Sequence, residues 1–186
     1  MGKICYINGQ PFMVTIPTGG KGLGDQNNQW DDLINFLGGD CNHIFHCGSI
    51  SSWCQEKMGR SSFGYWYSLA SCRSVEGGFR PILIPLDPGT LEPDPSLLED
   101  IPNGRVFALA SLYMNGKVVK NPEIPIDDGD IPNYLTGTKI TLGNRDPDKK
   151  NWLYVIKHKD LLWTDRNILK NISWEDLKQQ GFISDK

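Results

Sequence analysis

Cys41, His43, His46 and Cys47 form the pattern C-x-H-x-x-H-C, the densest gathering of metal-ligand residue types in the chain. Two neutral imidazoles and two thiolates can complete a tetrahedral zinc or copper site. Such sites draw on two separated pairs, and one tight cluster rarely wraps a single ion, so no metal and no cofactor is expected here. Cys72 next to Arg73 raises the question of a cysteine nucleophile, which needs a partner base or an electropositive setting. Neighbours in an extended segment point to opposite faces, and nothing in the sequence brings His43 or His46 to Cys72, so a buried structural thiol is the plainer reading.

Three further patterns resolve into ordinary structure. Lys21 lies in Thr18-Gly19-Gly20-Lys21-Gly22-Leu23-Gly24 ahead of an expected helix, where backbone N–H groups could bind an anion. A phosphate loop needs G-x-x-x-x-G-K-[ST], and Gly22 follows the lysine, so a surface loop is expected. Asp127, Asp128 and Asp130, or Asp146 and Asp148, offer carboxylates to calcium without matching the twelve-residue EF-hand spacing, as solvated acidic turns do. Asn171-Ile172-Ser173 matches a glycosylation sequon, but Ser173 is better used as a helix cap.

Ser61 to Leu86 is the segment on which function turns. Phe63, Tyr65, Trp66 and Tyr67 are too many large rings for one short polar loop unless they pack against something or stack on a ligand. With Arg60 and Arg73 beside them, they form the expected ligand-binding surface: ring faces for sugars, and guanidinium groups for hydroxyls. The competing reading places most of these rings in the core. Gly77-Gly78-Phe79-Arg80 then precedes a short apolar run, as though a long loop re-enters the core at its last strand. Arg80 is expected to be structural, pairing with a carboxylate or with backbone carbonyls where that loop closes.

Composition limits the frame around these residues. The 186-residue chain can bury one good core, and 39% hydrophobic with 22% charged residues is the balance of a globular protein. A net charge of −3 with no basic block argues against nucleic acid as a partner. No apolar run reaches membrane-spanning length, and Met1 to Thr15 lacks the form of a signal peptide, so neither membrane insertion nor general secretion is expected. The five cysteines are expected to be reduced and mostly buried.

Hairpins are expected at Asn8-Gly9, between Lys3–Ile7 and Pro11–Ile16, and at Asn115-Gly116, between Arg105–Met114 and Lys117–Lys120. Trp30, Leu33, Ile34 and Leu37 have helical spacing ending at Gly38-Gly39, and a second short helix is read from Ser52 to Met58. Pro85 to Gly104 holds five of the twelve prolines and reads as a connector. Strands follow at Lys139–Leu142 and Trp152–His158, then a helix with a capping box at Ser173-Trp174-Glu175-Asp176 and a stop at Gly181. The shared W-[DE]-D-L of Trp30 and Trp174 is too short for a repeat.

The order Asn28-Gln29-Trp30-Asp31-Asp32-Leu33-Ile34, then Ile50-Ser51-Ser52-Trp53-Cys54-Gln55-Glu56, Trp66-Tyr67 and Gly78-Phe79-Arg80-Pro81-Ile82-Leu83 resembles bacteriophage and prophage proteins with a C-type lectin-like fold. The Gly-Phe-Arg ending is similar to that of the formylglycine-generating and sulfatase-modifying group and of retroelement variable proteins. The resemblance covers Lys3 to about Leu86 and implies a C-type lectin-like core over 1–86; the proline-rich connector over 87–103 and the β-rich extension with a C-terminal helix over 104–186 lie outside it and follow from the local pattern, so that the whole is expected to be an α+β protein. The resemblance also implies a non-enzymatic phage tail or receptor-binding component. Its partners would be a host surface glycan or protein, and further copies of itself or other virion proteins. Such a protein is made in the cytoplasm and reaches the virion or the extracellular space by lysis. The alternatives are an enzyme or enzyme remnant of the formylglycine-generating type, and a structural subunit of virion assembly. The enzymes use two nearby cysteines before Gly-Phe-Arg, where this chain has Cys72 alone, so copper-dependent oxidation is not expected.

Overall fold

The structure of the chain, a computed structural model, describes residues 2–16, 78–121 and 131–183. Its first hairpin joins β1 (Lys3–Ile7) to β2 (Gln10–Thr15) through Asn8 and Gly9, with φ of 51° and 80°. Two consecutive left-handed residues are what a two-residue turn needs to follow the twist of its strands. Asn115 and Gly116 repeat this with φ of 50° and 78° between β5 (Val106–Met114) and β6 (Lys117–Val118). The other strands are β3 (Gly78–Phe79), β4 (Ile82–Pro85), β7 (Ile140–Gly143), β8 (Leu153–His158), β9 (Leu161–Thr164) and β10 (Leu169–Lys170). The α-helix α1 (Trp174–Gln179) has the expected reciprocal capping box: Asp176 N–H donates to Ser173 Oγ at 3.0 Å, and Ser173 N–H to Asp176 Oδ2 at 2.8 Å. It ends where Gly181 takes φ of 89°, with the Phe182 and Gly181 amides bonded back to the Leu177 and Lys178 carbonyls.

The strands form one antiparallel sheet in the order β1-β2-β4-β9-β8-β5-β6, with β7 on the other side of β5, and a short β3–β10 pair. β5 serves two partners on one side, β8 along its first half and β6 at its end, after a bulge between Ala108 and Ala110. The sheet curls until β7 lies beside β1. Side chains bridge that seam: Lys3 donates to the Ile140 carbonyl, Cys5 meets Thr141 at 3.8 Å, and the Asn8 amide donates to the Asn144 side chain. The Ile140 amide is taken by Gln180 Oε1 at 2.9 Å, so the end of α1 caps the seam.

Alternate residues of each strand enter the core. Cys5 and Ile7, Phe12 and Val14, Ile140 and Leu142, and Leu153 and Val155 are all buried in one cluster, with Leu83, Leu112 and Leu162 between them. Phe79, Leu169, Leu177 and Phe182 join the same cluster, so the β3–β10 pair and α1 close one end of the curled sheet.

This architecture corrects the expected class. The described residues are 42% strand and 11% helix, a curled antiparallel half-barrel in place of an α+β fold with a C-type lectin-like core. The reason is the residue pattern: two-residue periodicity between Asn-Gly turns rules the described chain, and its α-helix is a single six-residue element. The helices read over Trp30–Leu37 and Ser52–Met58 lie outside the described residues. A second correction concerns β4, which lies between β2 and β9 in the interior of the sheet and is not its last strand.

Lys3 gives a pH signature to the seam. Burial pushes its pKa below the ordinary 10.5; nearby Cys5 opposes this shift and Lys139 adds to it. The Ile140 carbonyl and the Phe182 ring, 5.3 Å from the ammonium, favour the charged form, yet desolvation prevails. The folded pKa is therefore the lower one, and the unfolded chain holds this proton more tightly. The penalty of keeping Lys3 charged is present in full below its folded pKa and disappears as pH rises from there to 10.5. Thermal melts of wild type and Lys3→Met at about pH 7 and about pH 10.5 check this. Wild type is expected to gain on the variant at the higher pH, and a constant difference would contradict the shift.

Candidate functional site

β2 ends at Thr15, and the described chain resumes at Gly78 in β3, followed by β4 in the main sheet. Thr15 pairs with Ile82, so the points of departure and return lie on neighbouring strands. β3 is tied to β10 by the Leu169–Phe79 and Lys170–Gly78 register, reinforced by the Ile168 amide on the Phe79 carbonyl at 2.8 Å.

Around this return the outer face of the sheet is buried as thoroughly as the inner one. Ile82, Trp163 and Ile156 stand in register across β4, β9 and β8, each pointing away from the core neighbours Leu83, Leu162 and Val155, and all three are buried. Strands apolar on both faces are the mark of a sheet interior covered on two sides. One strand further on, Val106, opposite Ile156, is 54% exposed, which fixes where the covered area ends.

Polar groups concentrate at the edge of this face. Arg80 is fully buried; its Nε–H donates to the Thr164 carbonyl at 2.7 Å, and its guanidinium lies 5.8 Å from the centre of the Trp163 ring. This is the carbonyl pairing expected of Arg80. Thr164 Oγ1 donates to the Arg166 carbonyl at 2.9 Å, and the Thr164 amide reaches the Pro81 carbonyl at 3.3 Å. Arg166 closes a two-pronged pair on Asp165, Nε to Oδ1 at 3.1 Å and Nη2 to Oδ2 at 3.0 Å, with little solvent access to either. Asn167 and His158 are also buried, and the Asn167 side-chain oxygen has no hydrogen-bond donor.

These groups form a collar of guanidinium and hydroxyl donors at the return of the chain, where they tie Arg80 and Pro81 to the end of β9. Its chemistry is positioning: Thr164 Oγ1 is already engaged, and Cys5 belongs to the inner core at the far seam. Among the described residues no group of three His, Cys, Asp or Glu side chains is placed to hold a metal ion. Among the described residues no helix is long and apolar enough to cross a membrane.

The expected ligand-binding residues Arg60, Phe63, Tyr65, Trp66, Tyr67 and Arg73 all lie outside the described residues. So do Lys21, the Cys41, His43, His46 and Cys47 cluster, Cys72, and Asp127, Asp128 and Asp130. Asp146 and Asp148 are described, and one side-chain oxygen of each is engaged within the loop. Asp146 Oδ2 accepts from the Asp148 amide at 2.9 Å and from Asn151 Nδ2 at 3.0 Å, and Asp148 Oδ1 accepts from the Lys150 amide at 3.0 Å. Ser173 of the sequon is the buried cap of α1. Beyond Arg80 the sequence reading missed the collar. Its signal was Thr164-Asp165-Arg166-Asn167, a polar run directly after Leu-Leu-Trp, where a strand end must change direction.

Searches against protein-family models, curated proteins and solved structures found no match to this chain.

Proposed function

We propose that this chain is a non-enzymatic binding protein, a phage tail or receptor-binding component that recognises a host-surface glycan or protein. Its contact surface is the aromatic segment with Arg60, Phe63, Tyr65, Trp66, Tyr67 and Arg73, and the half-barrel is the frame that presents it. The observation that supports this reading is the collar: a long segment rich in glycine and aromatic residues is held at both ends by adjacent strands and a buried arginine. Binding functions sit on loops fixed to rigid scaffolds, because the frame bears the entropy of ordering while the loop supplies chemistry. The phage assignment rests on the sequence resemblance.

Binding of the purified protein to a glycan array and to whole bacterial cells tests the proposal, alongside a Tyr65→Ala/Trp66→Ala/Tyr67→Ala variant whose folding is checked by circular dichroism. Wild type is expected to bind, and the folded variant to lose at least tenfold in affinity, in keeping with ~1–3 kcal/mol per stacked ring. A wild type that binds neither array nor cells defeats the proposal and moves an assembly-subunit role to first place.

A further inference from the structure

We infer that the loop between β7 and β8 is a second binding site, one that takes the carboxylate or sulfate groups of an acidic polysaccharide. Arg145 and Lys149 both lie over the ring of Trp152, with the Arg145 guanidinium carbon 4.6 Å and the Lys149 ammonium 5.8 Å from its centre. The ring is itself pinned, its Nε1–H donating to the Asp146 carbonyl at 2.7 Å. Lys150 follows on the same loop, and Lys120 adjoins it, because the Asn121 amide donates to the Lys150 carbonyl at 3.0 Å and Asn121 Nδ2 to the Trp152 carbonyl at 2.7 Å.

Four cations thus lie on or beside this loop, and none of their side chains forms an ion pair among the described residues. The two acids of the loop offset part of this charge, Asp146 and Asp148 against Arg145, Lys149 and Lys150 before Lys120 is added, but among the described residues they accept from backbone amides and Asn151 and form no ion pair with the cations. The loop is also stiff: Ser111 Oγ accepts from the Asp146 amide at 2.9 Å and donates to the Asn151 carbonyl at 2.7 Å, and Tyr113 donates its phenol proton to the Asn144 carbonyl at 2.8 Å. Burial, helped by nearby Asp146, raises the Tyr113 pKa and keeps that proton in place at neutral pH.

A guanidinium held over an indole presents its N–H fork with less freedom to lose, which suits anions that offer two oxygens. The ring face is occupied by the cations, so the site offers charge and hydrogen bonds in place of sugar stacking. The whole chain carries −3, which supplies no long-range attraction for any polyanion, so binding rests on local pairing with the fork. A sugar carboxylate offers that fork two coplanar oxygens, whereas a nucleic acid relies on the sum of many phosphate contacts and on counterion release, which a short cluster of cations supplies weakly.

Calorimetric titration of the intact protein with polygalacturonate at about 50 mM salt tests the site, with neutral dextran and a single-stranded oligonucleotide of equal charge as comparisons. Polygalacturonate is expected to bind and to weaken several-fold at about 200 mM salt. Arg145→Gln/Lys149→Gln is expected to lose about tenfold or more, while Arg105→Gln, a charge removed elsewhere on the surface, leaves binding unchanged. The Tyr65→Ala/Trp66→Ala/Tyr67→Ala variant is expected to keep this binding, so the two sites fail or stand separately. Absence of polygalacturonate binding overturns the inference, as does equal loss in Arg105→Gln. Binding of the oligonucleotide at least as tightly overturns it in favour of a nucleic-acid surface.

Discussion

Arg80→Ala is expected to destabilise the fold by about 3–5 kcal/mol in denaturant titration, a large share of the ~5–15 kcal/mol that holds a domain together. Arg80 has no solvent access, so truncation leaves an empty volume beside Trp163 and strips the Thr164 carbonyl of its 2.7 Å donor. A cavity and an unsatisfied buried acceptor act in the same direction. Arg80→Met separates them. It keeps most of the volume and loses only the hydrogen bonds and charge, so its expected loss is about 1–3 kcal/mol. If methionine matches or exceeds arginine in stability, as happens when a buried charge is replaced by an apolar isostere, the packing of the side chain and not its charge holds the collar together.

Phe182→Ala is expected to lose about 3–5 kcal/mol as well, although the residue follows the last helix. Phe182 is fully buried, and its ring meets that of Phe79 at 4.9 Å between centroids with a 53° tilt. Its carbonyl accepts from Thr15 Oγ1 at 3.0 Å, its amide is the closing bond of the helix cap, and the Lys3 ammonium lies over the ring. One residue therefore ties these segments to the helix: its ring meets Lys3 of the first strand and Phe79 of β3, and its backbone meets Thr15 at the end of the second. The alanine variant removes all the ring contacts at once, and a measured loss below about 1 kcal/mol would show that this end of the sheet is closed by other means. Phe182→Leu, which keeps an apolar side chain in place, is expected to retain more than half of the stability that alanine loses.

The local β-structure was legible because its signals are steric. Asn8-Gly9 and Asn115-Gly116 can enter a tight turn with two positive φ values, and both do. Ser173 and Asp176 satisfy each other's amides, so the helix start could be read to the residue. The hairpin from β8 to β9 escaped because its turn is Lys159-Asp160. Lys159 takes φ of 53° there, held by Asn103, whose Oδ1 accepts from the Lys159 amide and from Lys157 Nζ, each at 2.9 Å. A partner more than fifty residues away leaves no mark in the local sequence. The class differs for a related reason: the α+β expectation rests on a resemblance carried by short motifs between Asn28 and Leu83, while the curl that joins β1 to β7 comes from side-chain contacts between distant segments. At the collar, Arg80 was readable from its place between Gly-Gly-Phe and a strand. Its acceptor, the Thr164 carbonyl, was not, since carbonyls have no sequence signature.

The Thr15–Ile82 pairing also sets how freely this protein can change. Two ends fixed one strand apart make the length of the intervening chain nearly irrelevant to the frame: halving or doubling a loop alters its closure free energy by only ~0.6 kcal/mol. A change in the length of 17–77 is therefore expected to cost the frame little through chain closure alone. A larger loss of stability in such a length variant would have to come from contacts and not from the span between the two strands.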